Sequence, residues 1–361
     1  MSFIIGIAGT AKNTGKTTTT STILNELRKN NIKIGLTGIG YDGEELDNIT
    51  GLPKPRLLLK KGMIVATAQK CLSVGTAGFN VLETTDISTP LGKVIIIEVT
   101  QEGLVVIAGP NKGRELRLIL DKMTRFSCDF IIVDGALNRI APMVETDGLI
   151  LATGAARNSN INQLVEETIY FYKIFNLPSV TKEEKDLVKG LNKITLIERH
   201  QKNYFALDYA VLIDKTAVSQ IVSKIFQYNT IYVPSLISQS SLKELSAAIN
   251  KSWKGKTLIV KDSIKLATGG TPYEVYSKVE EILSFGGNIK VEKSIPIIAI
   301  SVNPFYPKYR FDINNYEPGF IDSKELYFSM RNAVPTTVVD VKRYGCFDLI
   351  KAIKSFYKPR E

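Results

Sequence analysis

An apolar run from Phe3 to Ala8 leads into the segment Gly9-Thr10-Ala11-Lys12-Asn13-Thr14-Gly15-Lys16-Thr17. Beyond it, apolar residues recur at Ile23, Leu24 and Leu27 with polar ones between. That order predicts strand, loop and helix. No other feature restricts the chain as much, because a glycine-bearing loop at a helix N-terminus turns backbone N–H groups and the positive end of the helix dipole toward an anion. The spacing follows G-x-x-x-x-G-K-[ST] with one departure: Thr10 stands where the first glycine belongs, and Gly9 comes one position early. In such a loop Lys16 reaches the β- and γ-phosphates of a nucleoside triphosphate, and the Thr17 hydroxyl binds Mg²⁺. Gly9, Thr10, Asn13, Thr14, Gly15 and Thr18 are expected to line the same site. Lys12 either touches phosphate or points into water.

Two carboxylates are candidates for the metal and for catalysis. Phe130 to Val133 reads as a buried strand that delivers Asp134 to the end of a sheet, where a loop of this kind holds Mg²⁺ through an acid. The alternative for Asp134 is a plain Asp-Gly turn with Gly135. A second predicted strand, Ile34 to Ile39, is followed by the acidic loop Asp42, Gly43, Glu44, Glu45 and Asp47, and in a parallel sheet such a loop lies at the ligand-binding edge. Asp42 there either binds Mg²⁺ through water or positions an attacking water, or else makes an ordinary Asp-Gly turn. Lys16, Asp42 and Asp134 are therefore the candidate catalytic residues, with Thr17, Asp42 and Asp134 the candidate metal ligands.

The remaining pattern predicts an α/β protein. A parallel sheet over residues 1–160 carries a β-rich antiparallel insertion over 62–110, where short apolar runs alternate with turns at Gly75, Gly78, Pro90-Leu91-Gly92 and Glu102-Gly103. Helices are expected at Glu115 to Met123 and Ile161 to Phe175. Residues 161–361 read as a second α/β domain for a partner or ligand. Its strand candidates are Thr230 to Val233, Thr257 to Val260, Ile295 to Val302 and Thr336 to Val341, and capping boxes are expected at Ser241 with Glu244, Thr271 with Glu274, and Asp322 with Glu325. That capping explains the Gly269-Gly270-Thr271 turn without a ligand.

Charge and composition exclude several classes. The net charge is +10, with 19 Lys/Arg against 17 Asp/Glu up to Val180 and 27 against 19 from Thr181 onward. The lysines of the second half are dispersed rather than gathered into a phosphate-tracking row, so a nucleic-acid partner is not expected. Cys71, Cys128 and Cys346 are scattered without C-x-x-C spacing, which fits a reducing cytoplasm and neither a disulfide framework nor a zinc site. The opening residues read as a first strand and not a signal peptide, and no apolar run approaches the roughly 20 residues of a membrane span. His200, the single histidine, lies in a polar stretch without an orienting partner and reads as a surface residue.

The spacing G-T-x-x-x-x-G-K-T from Gly9 to Thr17 resembles that of dethiobiotin synthetases. The first domain is thus similar to SIMIBI-class P-loop NTPases, which also include cobyrinic acid amide synthases and MinD-like ATPases. The resemblance implies binding of ATP with Mg²⁺. In MinD-like members three residues separate a signature lysine from the Gly-Lys-Thr; here two, Asn13 and Thr14, separate Lys12 from Gly15, and a homodimer is carried only as an expectation. More narrowly, Gly40-Tyr41-Asp42-Gly43-Glu44, Val133 to Arg139 and Thr146 to Ala155 resemble the smaller subunit of lysine 5,6-aminomutase reactivases. That likeness implies a chaperone-like ATPase which works with a second reactivase subunit to restore a B12-dependent aminomutase. The alternative is a dethiobiotin synthetase-type ligase that activates a small carboxylate with ATP.

Overall fold

The computed structural model describes residues 2–29, 32–40, 57–136, 140–198, 203–312 and 314–357. They form an α/β protein of two compact units, Met1–Glu166 with Ile297–Glu361, and Glu167–Pro296. This corrects the expected second domain over 161–361. The chain leaves the first unit within one helix and returns to it at Ile297.

The first stretch supplies β1 (Phe3–Gly9), α1 (Lys16–Lys29), β2 (Ile34–Gly38), β3 (Leu57–Leu59), β4 (Ile64–Ala68), α2 (Gln69–Leu72), β5 (Gly78–Thr89), β6 (Gly92–Gln101), β7 (Gly103–Val105), α3 (Gly113–Thr124), β8 (Phe130–Ala136), β9 (Gly148–Gly154) and α4 (Ile161–Phe175). The central strands are buried along almost their whole length, as expected of a parallel sheet covered on both faces. β1 lies between β8 and β9, parallel to both. The β-rich stretch joins this sheet rather than standing apart: β4 runs parallel to β2, and β6 and then β5 extend the edge antiparallel. The outermost strand, β5, exposes Asn80, Thr84 and Asp86, polar residues that discourage edge-to-edge pairing with another chain. α1 buries Ile23, Leu24 and Leu27, each contributing about 1.5–3 kcal/mol.

The second unit contains α5 (Lys182–Val188), β10 (Thr195–Glu198), β11 (Asn203–Ala206), α6 (Lys215–Lys224), β12 (Thr230–Val233), α7 (Gln239–Ile249), β13 (Thr257–Asp262), α8 (Ser263–Ala267), α9 (Pro272–Ser284) and β14 (Asn288–Lys293). Its five strands run in the order β11-β10-β12-β13-β14, the last three parallel. The expected cap at Ser241 is corrected: Ser238 caps α7 by accepting from the Ser241 N–H at 3.2 Å, and Ser241 is buried in the first turn. Thr271 and Asp322 cap their helices by accepting from the Glu274 and Glu325 N–H groups, the donor half of the expected boxes, and a full capping box that the sequence reading passed over joins Thr181 to Glu184.

The returning segment forms β15 (Ile297–Asn303), β16 (Phe305–Arg310), β17 (Asn315–Phe320), α10 (Ser323–Ala333), β18 (Thr337–Val339) and α11 (Phe347–Phe356). β15 pairs parallel with β9, and β18 pairs parallel with β15. The described residues thus complete a nine-stranded sheet in the order β18-β15-β9-β1-β8-β2-β4-β6-β5. Leu349 and Ile353 of α11 share one core with Ile5, Ile23 and Leu27. No described helix is long and apolar enough to cross a membrane.

All three cysteines are buried free thiols. Burial raises the ionisation range of each, and that of Cys128 is pushed up to about 11. A thiol-reactive dye at pH 8 is therefore expected to label three cysteines in denaturant and almost none in the native chain, because only the exposed thiolate reacts readily. Cys128 keeps its proton in the fold while the unfolded thiol ionises near 9.0. Its contribution to stability is therefore present below pH 9 and lost as the pH rises toward 11. Rapid native labelling at pH 8 is the contrary result.

Candidate functional site

Because β1 and β8 are parallel neighbours, their carboxyl ends bring the loop after β1 beside Asp134, whose Cα lies in register with Ile7. The loop turns through two left-handed residues, Asn13 (φ 62°) and Gly15 (φ 85°), before α1 begins at Lys16. Asn adopts that conformation more readily than most residues, and glycine does so without steric cost. The Lys16 ammonium forms an ion pair with Asp134 Oδ2. One helical turn on, Thr20 Oγ1 donates to Asp134 Oδ1 at 3.1 Å. The sequence reading had not singled out Thr20, but helical spacing places it on the same face as Lys16. The Lys16 and Asp134 side chains are 24% and 14% exposed, so the pair is largely buried but keeps an edge open to solvent. Thr17 and Thr18 occupy the first turn of α1 and are partly exposed.

Other loop residues serve to hold the loop in shape. Thr10 is buried, its N–H donating to Ala152 O at 2.9 Å and its hydroxyl to Thr153 Oγ1 at 2.9 Å. It therefore ties the loop to β9, and its hydroxyl is engaged inside the protein. Thr14 Oγ1 donates to Ala11 O at 3.0 Å. A Cβ on Gly9 would sit 3.1 Å from Thr14 Oγ1, so this early glycine keeps the turn tight. Lys12 is exposed. Asp42, Glu44, Asp47 and His200 lie outside the described residues, as do Leu137, Asn138 and Arg139.

The returning segment contributes two residues that sequence reasoning missed. Ser301 Oγ and Thr19 Oγ1 share a buried hydrogen bond of 2.7 Å at the start of α1. Asn303, at the end of β15, donates from Nδ2 to Asn13 O at 2.9 Å. The available signal was an apolar strand running into a polar Asn-Pro end, the same pattern that drew attention to Asp134.

No family model matches the chain, and no curated protein matches it. Among solved structures the chain is similar to pNOB8 ParA, determined bound to nonspecific DNA, at 13% identity and a TM-score of 0.26. The match covers 63% of this chain and 75% of that one. A likeness of that size decides nothing about the site, which stands on its own geometry.

The residues present fit a magnesium-bound triphosphate. An ammonium at the helix start suits phosphate oxygens, while a hydroxyl and a carboxylate are the hard oxygen donors that Mg²⁺ takes when phosphate and water supply its other ligands. No group of three or more His, Cys, Asp or Glu residues placed to hold a metal occurs among the described residues. The other prominent polar cluster, in the second unit, is internally satisfied. Tyr232 donates to Glu292 Oε2 at 2.6 Å, and Lys261 pairs with Glu292 Oε1 at 2.7 Å. Burial first, and the Glu292 carboxylate second, raise the Tyr232 phenol well above its ordinary range. A network in which each acceptor has its donor rigidifies the sheet.

Proposed function

We propose that this chain is a P-loop ATPase that binds Mg²⁺-ATP at the β1–α1 loop and uses binding and slow hydrolysis to drive a conformational change. The observation that carries this reading is the meeting of Lys16, Thr20 and Asp134 at the carboxyl ends of two adjacent parallel strands. Lys16 binds phosphate oxygens, and the start of α1 adds the N-terminal dipole. Asp134 and Thr17 would hold the Mg²⁺, with Thr20 keeping the Asp134 carboxylate oriented. When bound, Mg²⁺ neutralises charge on the phosphates and polarises the bond to be broken.

The finer reading is a reactivating-factor subunit that acts with a second subunit on a B12-dependent aminomutase. Its support is the resemblance of the segments around Gly40, Asp134 and Gly154. A loop ordered by the γ-phosphate is a common route from nucleotide state to partner grip. An aminomutase carrying damaged cobalamin is expected to recover activity only with this chain, its companion subunit, ATP, Mg²⁺ and fresh adenosylcobalamin together. A non-hydrolysable ATP analogue should leave recovery incomplete. Equal recovery without this chain would remove the reactivase reading, and ATP-dependent conversion of a small carboxylate by the purified chain alone would replace it with the ligase.

A further inference from the structure

The phosphate loop is expected to owe its shape to its own residues, yet its Asn13 carbonyl is held from 290 positions away by the Asn303 side chain. Asn303 is itself firmly placed. Its carbonyl accepts the Ala155 N–H at 2.9 Å, and a Cβ on the adjoining Gly154 would lie only 2.0 Å from that oxygen. The Asn303 Cβ also sits 3.1 Å from where a side chain on Gly15 would begin. One strand end thus packs against the left-handed Gly15 and hydrogen-bonds to the left-handed Asn13.

We propose that Asn303 is a positioning residue for the nucleotide site: its amide fixes the loop between Asn13 and Gly15 so that the backbone N–H groups before Lys16 are aimed before the phosphates arrive. This rests on the reading of the loop as a phosphate site. The physical reason is preorganisation. A donor on a rigid strand restrains a loop that holds one non-glycine residue at positive φ, and order present before binding need not be created by the ligand. Without the donor, the Asn13 carbonyl turns to water and the loop populates conformations in which its N–H groups diverge.

Asn303→Leu keeps the volume against Gly15 and removes the donor, while Asn303→Ala removes both. Two measurements test the role: hydrogen exchange of loop amides over residues 11–16 in nucleotide-free protein, and titration with a fluorescent ATP analogue alongside steady-state hydrolysis. Asn303→Leu is expected to raise loop exchange and the dissociation constant each by about 3- to 10-fold, the scale of one lost hydrogen bond. It is expected to raise KM with kcat unchanged, since the contact is present before and during the reaction. Exchange in β1 and β9 should stay as in the parent, which separates positioning from general loosening. If Asn303→Leu does not fold, Asn303→Ala is held to the same comparison. Unchanged loop exchange overturns the proposal, and so does faster exchange with unchanged affinity in a parent that binds the analogue. A parent chain that binds no nucleotide rejects the ATPase reading and with it any role for Asn303 in affinity, whereas the exchange data still decide whether Asn303 holds the loop.

Discussion

Lys16→Ala is expected to abolish measurable ATP binding while leaving the protein folded. In calorimetric titration the affinity should fall about 10²-fold or more, because a charge-assisted contact to phosphate disappears and alanine supplies nothing in its place. The fold should lose about 1–3 kcal/mol, the scale of a charge-assisted contact to a largely buried carboxylate, which leaves the chain folded. Thr20 remains to satisfy one oxygen of Asp134 at 3.1 Å, so the variant does not strand a buried charge. An unchanged ATP affinity would remove the central claim, and a collapse of thermal stability would recast Lys16 as a structural residue.

Asp134→Asn is expected to separate binding from turnover. The amide oxygen can still accept from Thr20, so the strand end keeps its shape. The negative charge that orients a metal shell is gone, and phosphate release at saturating ATP and Mg²⁺ should fall about 100-fold. Affinity for ATP without Mg²⁺ should hold or rise, because Lys16 no longer has a competing carboxylate beside it. Parent-like turnover would make Asp134 a turn residue and move the search for the metal carboxylate to Asp42. The two variants thus fail in different assays if both assignments are right.

The comparison of sequence with structure divides along the range of the interactions involved. The loop from Gly9 to Thr17, the helix after it and the strand leading to Asp134 were legible because each announces itself within a dozen residues. So were the antiparallel pairings of β6 with β4 and β5 within 62–110, the helix Ile161–Phe175, and the caps at Thr271 and Asp322. The capping assignment at Ser241 failed although its spacing was right. Ser238 lies three residues earlier with the same side-chain chemistry, and burial of Leu242 and Leu245 sets the helix start that makes Ser238 the cap. β14, with its lysines and glutamate, was passed over because its polar residues find partners only in three dimensions, Lys290 on Glu184 and Glu292 on Lys261.

What the sequence by itself determined is the strand, glycine-bearing loop and helix from Phe3 to Lys29, and the strand that ends beside them at Asp134, since these depend on spacing and local backbone conformation. Where the chain divides was decided only by the tertiary structure. The segment from Ile297 onward follows the second unit in sequence, but Ile298 and Ala299 of β15, Val339 of β18 and Leu349 of α11 are buried in the core of the first. Periodicity tells a strand that it must be covered; it does not say by which distant segment. The same fact governs Asn303 and Ser301. A hydrogen bond between positions 290 or 282 residues apart leaves no local pattern, and it exists because the parallel pairing of β15 with β9 carries both side chains to the loop and to the first turn of α1.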